Sequence, residues 1–157
     1  MPGFQPSVLI IEGRFYEEIS DELAKGAIAT LQEAGASFNR IAVPGALEIP
    51  QVLAFTVRAG LIPFGATRWR FHGAIALGCV IRGETSHYEI VANESARSLL
   101  SISTASGIPL GNGILTVENG SQARKRAFVN EGDKGGAAAR ACLALIDVFM
   151  ECHGFQS

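Results

Sequence analysis

His87 follows a short polar run, Arg82-Gly83-Glu84-Thr85-Ser86, which itself follows an apolar run of strand length at 74–81. From His87 onward the residues are strong helix formers. A buried strand, a tight loop and a helix start aim backbone N–H groups, and the positive end of a helix dipole, at whatever occupies the loop. Gly83, Glu84 and Thr85 would present N–H groups there, and Thr85 or Ser86 a hydroxyl, which suits an anion such as phosphate. Glu84 must then turn its carboxylate away. As a histidine beside that loop, His87 could exchange protons with a ligand. The same residues also suit a plain helix start, because Ser86 and Glu89 stand at capping-box spacing. His72 and His153 show no metal-ligand spacing with His87, so no metal site is expected.

Other residues could join this chemistry. Glu48 falls in the first turn of an expected helix, where the dipole favours a carboxylate. It could accept hydrogen bonds from a polyol or simply stabilise the helix. Phe15, at a strand end, could be core or could stack on a flat heterocycle. Arg124-Lys125-Arg126 reads as a solvated basic face, and Lys134 opposes the dipole of the last helix unless it snorkels away or meets an anion. Gly111-Asn112-Gly113 opens a strand rather than following one, so it is not a dinucleotide fingerprint. Cys79, Cys142 and Cys152 read as structural thiols.

The elements that must position these residues are legible from pattern. Strands are expected at 7–12, 38–43, 74–81 and 110–118. Helices are expected at 16–34, 46–59, from 87 to a fading end near 103–107, at 121–128 and at 135–153. Apolar residues at Ile19, Leu23, Ala27, Leu31 and Ala34 make a helical stripe. Pro50 is tolerable only near a first turn. Residues 61–72 have no usable period and read as an irregular connection. In the last helix apolar residues cover most of the circumference, which predicts burial on several sides. Alternating strands and helices imply a parallel sheet with helices on both faces. Ligands then bind beyond the carboxyl ends of the strands, and residues 13–16, 44–48, 82–87 and 110–112 are expected along that one rim.

Bulk properties set the outer bounds. The chain has 157 residues, which predicts one domain, 1–157, able to fold without disulfide or metal staples. Hydrophobic residues are 48% and charged residues 18%, an apolar balance that hints at surface buried in an assembly. A net charge of -2 does not favour nucleic acid or an acidic membrane as partner. Three unpaired Cys point to a reduced, cytoplasmic protein. The opening MPGFQPSVLIIEG has no basic segment ahead of its apolar residues, so no signal peptide is expected, and no apolar run is long enough to span a bilayer.

Taken together, VPGALEIP at 43–50, LGCVIRGETSHY at 77–88, Asn93-Glu94, GILT at 113–116 and DKG at 133–135 resemble the 6,7-dimethyl-8-ribityllumazine synthase family in order and spacing. The resemblance covers nearly the whole chain, from Val8 to about Val148. It implies a three-layer α/β/α sandwich with a four-stranded, flavodoxin-like parallel sheet. It implies a transferase that condenses 5-amino-6-(D-ribitylamino)uracil with 3,4-dihydroxy-2-butanone 4-phosphate, releasing phosphate and water, with no cofactor. By position, Phe15 matches the aromatic that stacks on the pyrimidine. Ala46 and Glu48, with Leu47 between them, match the ribityl-binding positions. Val80 and Ile81 match backbone contacts to the ring. Gly83, Glu84 and Thr85 match the phosphate loop, and His87 the proton-transfer residue. Asn112 matches a pocket wall, Arg126 the phosphate-binding Arg and Lys134 a family Lys near the site. In the family these last three come from a neighbouring subunit, so the resemblance also implies a homopentamer or pentamer-based assembly with sites at subunit interfaces.

Tyr16, Leu47 and Asn112 depart from the commonest family pattern, which bears on substrate affinity. The linker at 129–133 lacks the glycine-rich form typical of sixty-subunit shells. Rival functions are a non-catalytic lumazine or flavin binder of the same fold and the related archaeal-type riboflavin synthase. The GETSH form of the loop favours the phosphate-using enzyme.

Overall fold

The computed structural model describes residues 3–154. Four strands, β1 (Ser7–Gly13), β2 (Ser37–Val43), β3 (Gly73–Ile81) and β4 (Leu110–Val117), form one parallel sheet in the order β2-β1-β3-β4. Helices α1 (Glu17–Glu33), α2 (Ile49–Arg58), α3 (His87–Ser106), α4 (Gly120–Ala127) and α5 (Lys134–Cys152) cover its two faces. The architecture is the three-layer α/β/α sandwich anticipated from the alternation of elements.

Strand alternation decides which face each helix covers. On β1, Val8 and Ile10 pack with Ile75 and Leu77 of β3 under α1, α4 and α5. Leu9 and Ile11 pack with Ala74 and Ala76 under α2 and α3, against Leu53 and Leu99. Both central strands are buried on both faces, which is why they read as continuous apolar runs rather than alternating ones.

Two close approaches fix the layers. An added Cβ at Gly111 would lie 1.9 Å from the Ala138 carbonyl oxygen, and one at Gly113 would lie 2.8 Å from Leu77 Cδ2. The Gly-Asn-Gly segment is therefore the groove in which α5 beds against β4. At the other edge, a Cβ at Gly13 would lie 2.8 Å from the Gly45 carbonyl carbon, so the end of β1 touches the loop after β2.

Several expectations are corrected. Residues 110–112 begin β4 and pair with 74–76 at the start of β3, so they lie at the amino-terminal end of the sheet. The ligand-facing rim keeps only the other three segments. The helix expected over 46–59 divides into a 3₁₀ turn, Ala46–Glu48, followed by α2, with Pro50 in its first turn. α4 begins at Gly120, where the Asn119 side chain accepts the Gln122 N–H at 2.9 Å. Burial of α5 on several sides is not achieved within one chain. Ala138, Cys142, Ile146 and Met150 are buried, but Leu145 and Val148 face outward. Residues 61–72 are irregular, as expected. Both Arg70 and Phe71 N–H groups donate to the Leu61 carbonyl there, and Phe64, Trp69 and His72 pack their rings together.

Candidate active site

Three strand ends deliver residues to one cavity of about 490 Å³. β1 leads into Phe15 and Tyr16, β2 into Pro44 to Glu48, and β3 into the loop that carries Gly83, Thr85 and His87. Val80 and Ile81, the last residues of β3, form part of the wall. Of the predicted site residues, Phe15, Ala46, Leu47, Glu48, Val80, Ile81, Gly83, Thr85 and His87 all line this space. Glu84 is exposed and is not among the residues that line the cavity.

Phe15 is 71% exposed, and its ring meets that of Tyr16 edge to face with centroids 4.9 Å apart. An aromatic face left open beside the cavity is suited to stacking on a flat ring. Glu48 is half-buried at the junction of the 3₁₀ turn and α2, and it makes no ion pair among the described residues. An added Cβ at Gly83 would meet no protein atom within 4 Å, so the backbone there borders open space that a ligand can fill. The three buried or half-buried positions on β3 (Cys79, Val80 and Ile81) give the cavity an apolar floor, and burial pushes the Cys79 thiol up to about 11. That thiol stays protonated near neutral pH and is no nucleophile.

The helix start at His87 differs from the capping box. Ser86 has helical backbone angles and its side chain caps nothing. The Thr85 hydroxyl instead accepts the His87 N–H at 3.3 Å. Glu89, the expected reciprocal partner of Ser86, is drawn to Arg82. Arg82 also donates to Glu118 at 2.7 Å, and its guanidinium lies 4.2 Å from the centre of the Tyr88 ring. Charge pairing outcompetes a neutral cap here. Arg82 was not among the candidate residues, although a cation at a strand end three residues before a hydroxyl was a usable signal.

Asn112, Arg126 and Lys134 lie elsewhere. They line a second cavity of about 350 Å³ between β4, the end of α4 and the start of α5. The two cavities share no lining residue. The Asn112 side-chain carbonyl accepts the Ile114 N–H at 3.0 Å. Arg126 donates only to the Gln122 carbonyl at 3.2 Å, and neither Arg126 nor Lys134 meets a carboxylate among the described residues. Two unpaired cations in one recess are suited to an anion that arrives from outside. Asp133 caps α5 by accepting the Gly136 N–H at 3.2 Å, which sets Lys134 at the first position of the helix. Among the described residues, no three His, Cys, Asp or Glu side chains gather as a metal site, and no helix is long and apolar enough to cross a membrane.

Comparison with known proteins bears on this arrangement. The family model for 6,7-dimethyl-8-ribityllumazine synthase matches residues 5–150. A protein of that name from Bartonella tribocorum is 51% identical over 142 residues, covering 90% of this chain and 89% of its own length. One from Agrobacterium fabrum is 48% identical over 150 residues, covering 96% and 99%. The protein named 6,7-dimethyl-8-ribityllumazine synthase 1 of Rhizobium meliloti is 50% identical over 141 residues, covering 90% of each. With its sheet order, its three-strand rim and a family match that spans nearly its whole length, the chain belongs to the 6,7-dimethyl-8-ribityllumazine synthase family.

Proposed function

We propose that this protein is a lumazine synthase, a transferase of riboflavin biosynthesis. It condenses 5-amino-6-(D-ribitylamino)uracil with 3,4-dihydroxy-2-butanone 4-phosphate and releases phosphate and water. The observation that carries this function is the first cavity, where an open aromatic face, a carboxylate, a glycine-bordered loop and a His share one space.

In this mechanism the pyrimidine stacks on Phe15, against the backbone of Val80 and Ile81. Its ribityl hydroxyls bind at Ala46, Leu47 and Glu48. The butanone phosphate sits in the loop of Gly83, Glu84 and Thr85, with Arg126 as the countercharge and Asn112 and Lys134 in the adjoining wall. The amine attacks the ketone, water leaves and an imine forms. Phosphate is then eliminated, the chain tautomerises, the ribityl-bearing nitrogen closes the ring on the remaining carbonyl, and a second water leaves. His87 moves protons in these steps. Holding the two reactants side by side supplies much of the acceleration.

Arg126 and Lys134 line a cavity separate from that of His87, which supports an assembly in which one subunit's second cavity completes its neighbour's first. Outward-facing Phe55, Ile90, Leu100, Leu145 and Val148 supply apolar surface for such contacts. We take the assembly to be a pentamer or a pair of pentamers. Three free thiols suit a reducing cytoplasm.

The test supplies both substrates to the purified protein and follows lumazine absorbance and phosphate release. Turnover is expected, and His87→Ala should slow it by roughly 10²–10⁴-fold. Tight product binding without turnover would identify the non-catalytic binder instead.

A further inference from the structure

We propose that Glu12, Arg14 and Arg40 form a positioning device that sets the direction of Phe15 and so the affinity for the pyrimidine substrate. The proposal rests on the functional reading above, in which that substrate stacks on Phe15.

Glu12 is 2% exposed, yet it is charged and lies within the sheet. Arg40 of β2 grips it from the side, Nε to Oε2 at 2.6 Å and Nη2 to Oε1 at 2.9 Å. Arg14 donates from Nη1 to Oε1 at 2.8 Å. The other Arg14 nitrogen, Nη2, reaches Glu17 at 2.8 Å and also Asp21. One chain of charge thus joins β2, β1, the β1–α1 junction and the first two turns of α1. The guanidiniums of Arg14 and Arg40 are both held above their ordinary pKa, Arg14 by its three carboxylate partners against the effect of burial, Arg40 chiefly by Glu12.

Stability alone does not call for this arrangement. A buried ion pair gains little over apolar side chains of the same volume, because desolvation offsets attraction. What such a pair supplies is direction, and the residue beside it needs direction. Phe15 follows Arg14, is largely exposed, and meets the Tyr16 ring edge to face. Phe15 belongs to neither hydrophobic cluster of the described residues, so the backbone fixes its approach to the cavity. The Arg14 N–H donates to the Val43 carbonyl at 3.0 Å, and Gly13 presses on Gly45. The guanidinium of Arg14 ties the same residue to Glu12, Glu17 and Asp21. The phosphate loop lies after β3 and shares none of these contacts.

A merely structural role would lower stability, or weaken both substrates together. A positioning role separates them. The test compares the unaltered chain with Arg14→Met, Arg14→Lys and Arg40→Met in steady-state turnover, varying each substrate in turn, with melting temperature measured alongside. Arg14→Met should raise the KM for the ribitylaminopyrimidine on the order of 10-fold and leave the KM for butanone phosphate within about 2-fold. Arg14→Lys, able to reach one carboxylate at a time, should fall between the two. If Arg14→Met does not fold, Arg40→Met is read in the same way, since Glu12 keeps Arg14 as partner. Parallel rises in both KM values, or unchanged kinetics with a lower melting temperature, would overturn the positioning role. Absence of turnover in the unaltered chain overturns the functional reading itself, a distinct outcome.

Discussion

The guanidinium of Arg82 lies 4.2 Å from the centre of the Tyr88 ring while it bonds Glu118 of the chain beyond β4 and Glu89 of α3. Arg82 and Tyr88 bracket the loop at 83–87, so this contact closes the loop at its base. The ladder continues past β3 as well, because the Arg82 N–H donates to Val117 at 2.9 Å. The loop is therefore held by both backbone and side chain, while its cavity side stays open at Gly83.

Arg82→Ala should leave the melting temperature almost unchanged, because exposed ion pairs contribute little to stability. It should raise the KM for butanone phosphate by about 10-fold, since the loop loses its brace and with it the alignment of its N–H groups. Arg82→Lys should recover only part, because an ammonium cannot bond two carboxylates in a plane and stack on Tyr88 together. Phosphate-release kinetics on the three proteins checks this.

A second prediction concerns His72, which is buried among the rings of Phe4, Phe64 and Trp69. Its Nδ1 accepts the Ser7 N–H at 2.9 Å, so the ring must be neutral in the fold. Burial lowers its pKa below the ordinary 6.5. The unfolded chain therefore binds this proton at a higher pH than the folded chain does. The contribution of His72 is complete above about 6.5 and is lost as pH falls from there toward the folded value. Melting temperature should fall on going from pH 8 to pH 5, and less so in His72→Phe, whose ring fits the cage without titrating. Equal slopes in the two proteins would remove His72 from this role.

The sheet was legible in the sequence because both central strands are buried on both faces and read as near-continuous apolar runs. The residues of the first cavity were legible because ligands in such sheets sit beyond the strand ends. Leu110 to Asn112 was misplaced for an instructive reason. It stands at a strand boundary, but at the amino-terminal one, and only the register with Ala74 to Ala76 distinguishes the two. The Ser86–Glu89 capping box failed because local spacing says nothing of Arg82, which takes Glu89 away. The Glu12 network was missed because Arg40 meets Glu12 only across paired strands, although Arg14 stands two residues away. Gly111 and Gly113 do not form a nucleotide motif but make room for Ala138 of α5, whose carbonyl lies against Gly111 and whose Cβ lies against Gly113.

The separation of the two cavities makes a prediction that needs no structure of the assembly. If His87 and Arg126 serve one site from different subunits, each single variant is inactive for a different reason. Mixed subunits would then rebuild some complete sites, each pairing an intact His87 half with an intact Arg126 half. His87→Ala and Arg126→Ala proteins, unfolded together and refolded as an equal mixture, should recover about one quarter of the unaltered activity, the random chance that both halves are intact in a ring. Each variant refolded alone should stay near its own low rate. If one chain supplied both residues to its own site, mixing would restore nothing. The refolded mixture must also match the unaltered protein in sedimentation, so that failed assembly is not mistaken for failed complementation. Activity near one quarter would show that the cations lining the second cavity act on a neighbour's substrate, and zero recovery would sink the shared site.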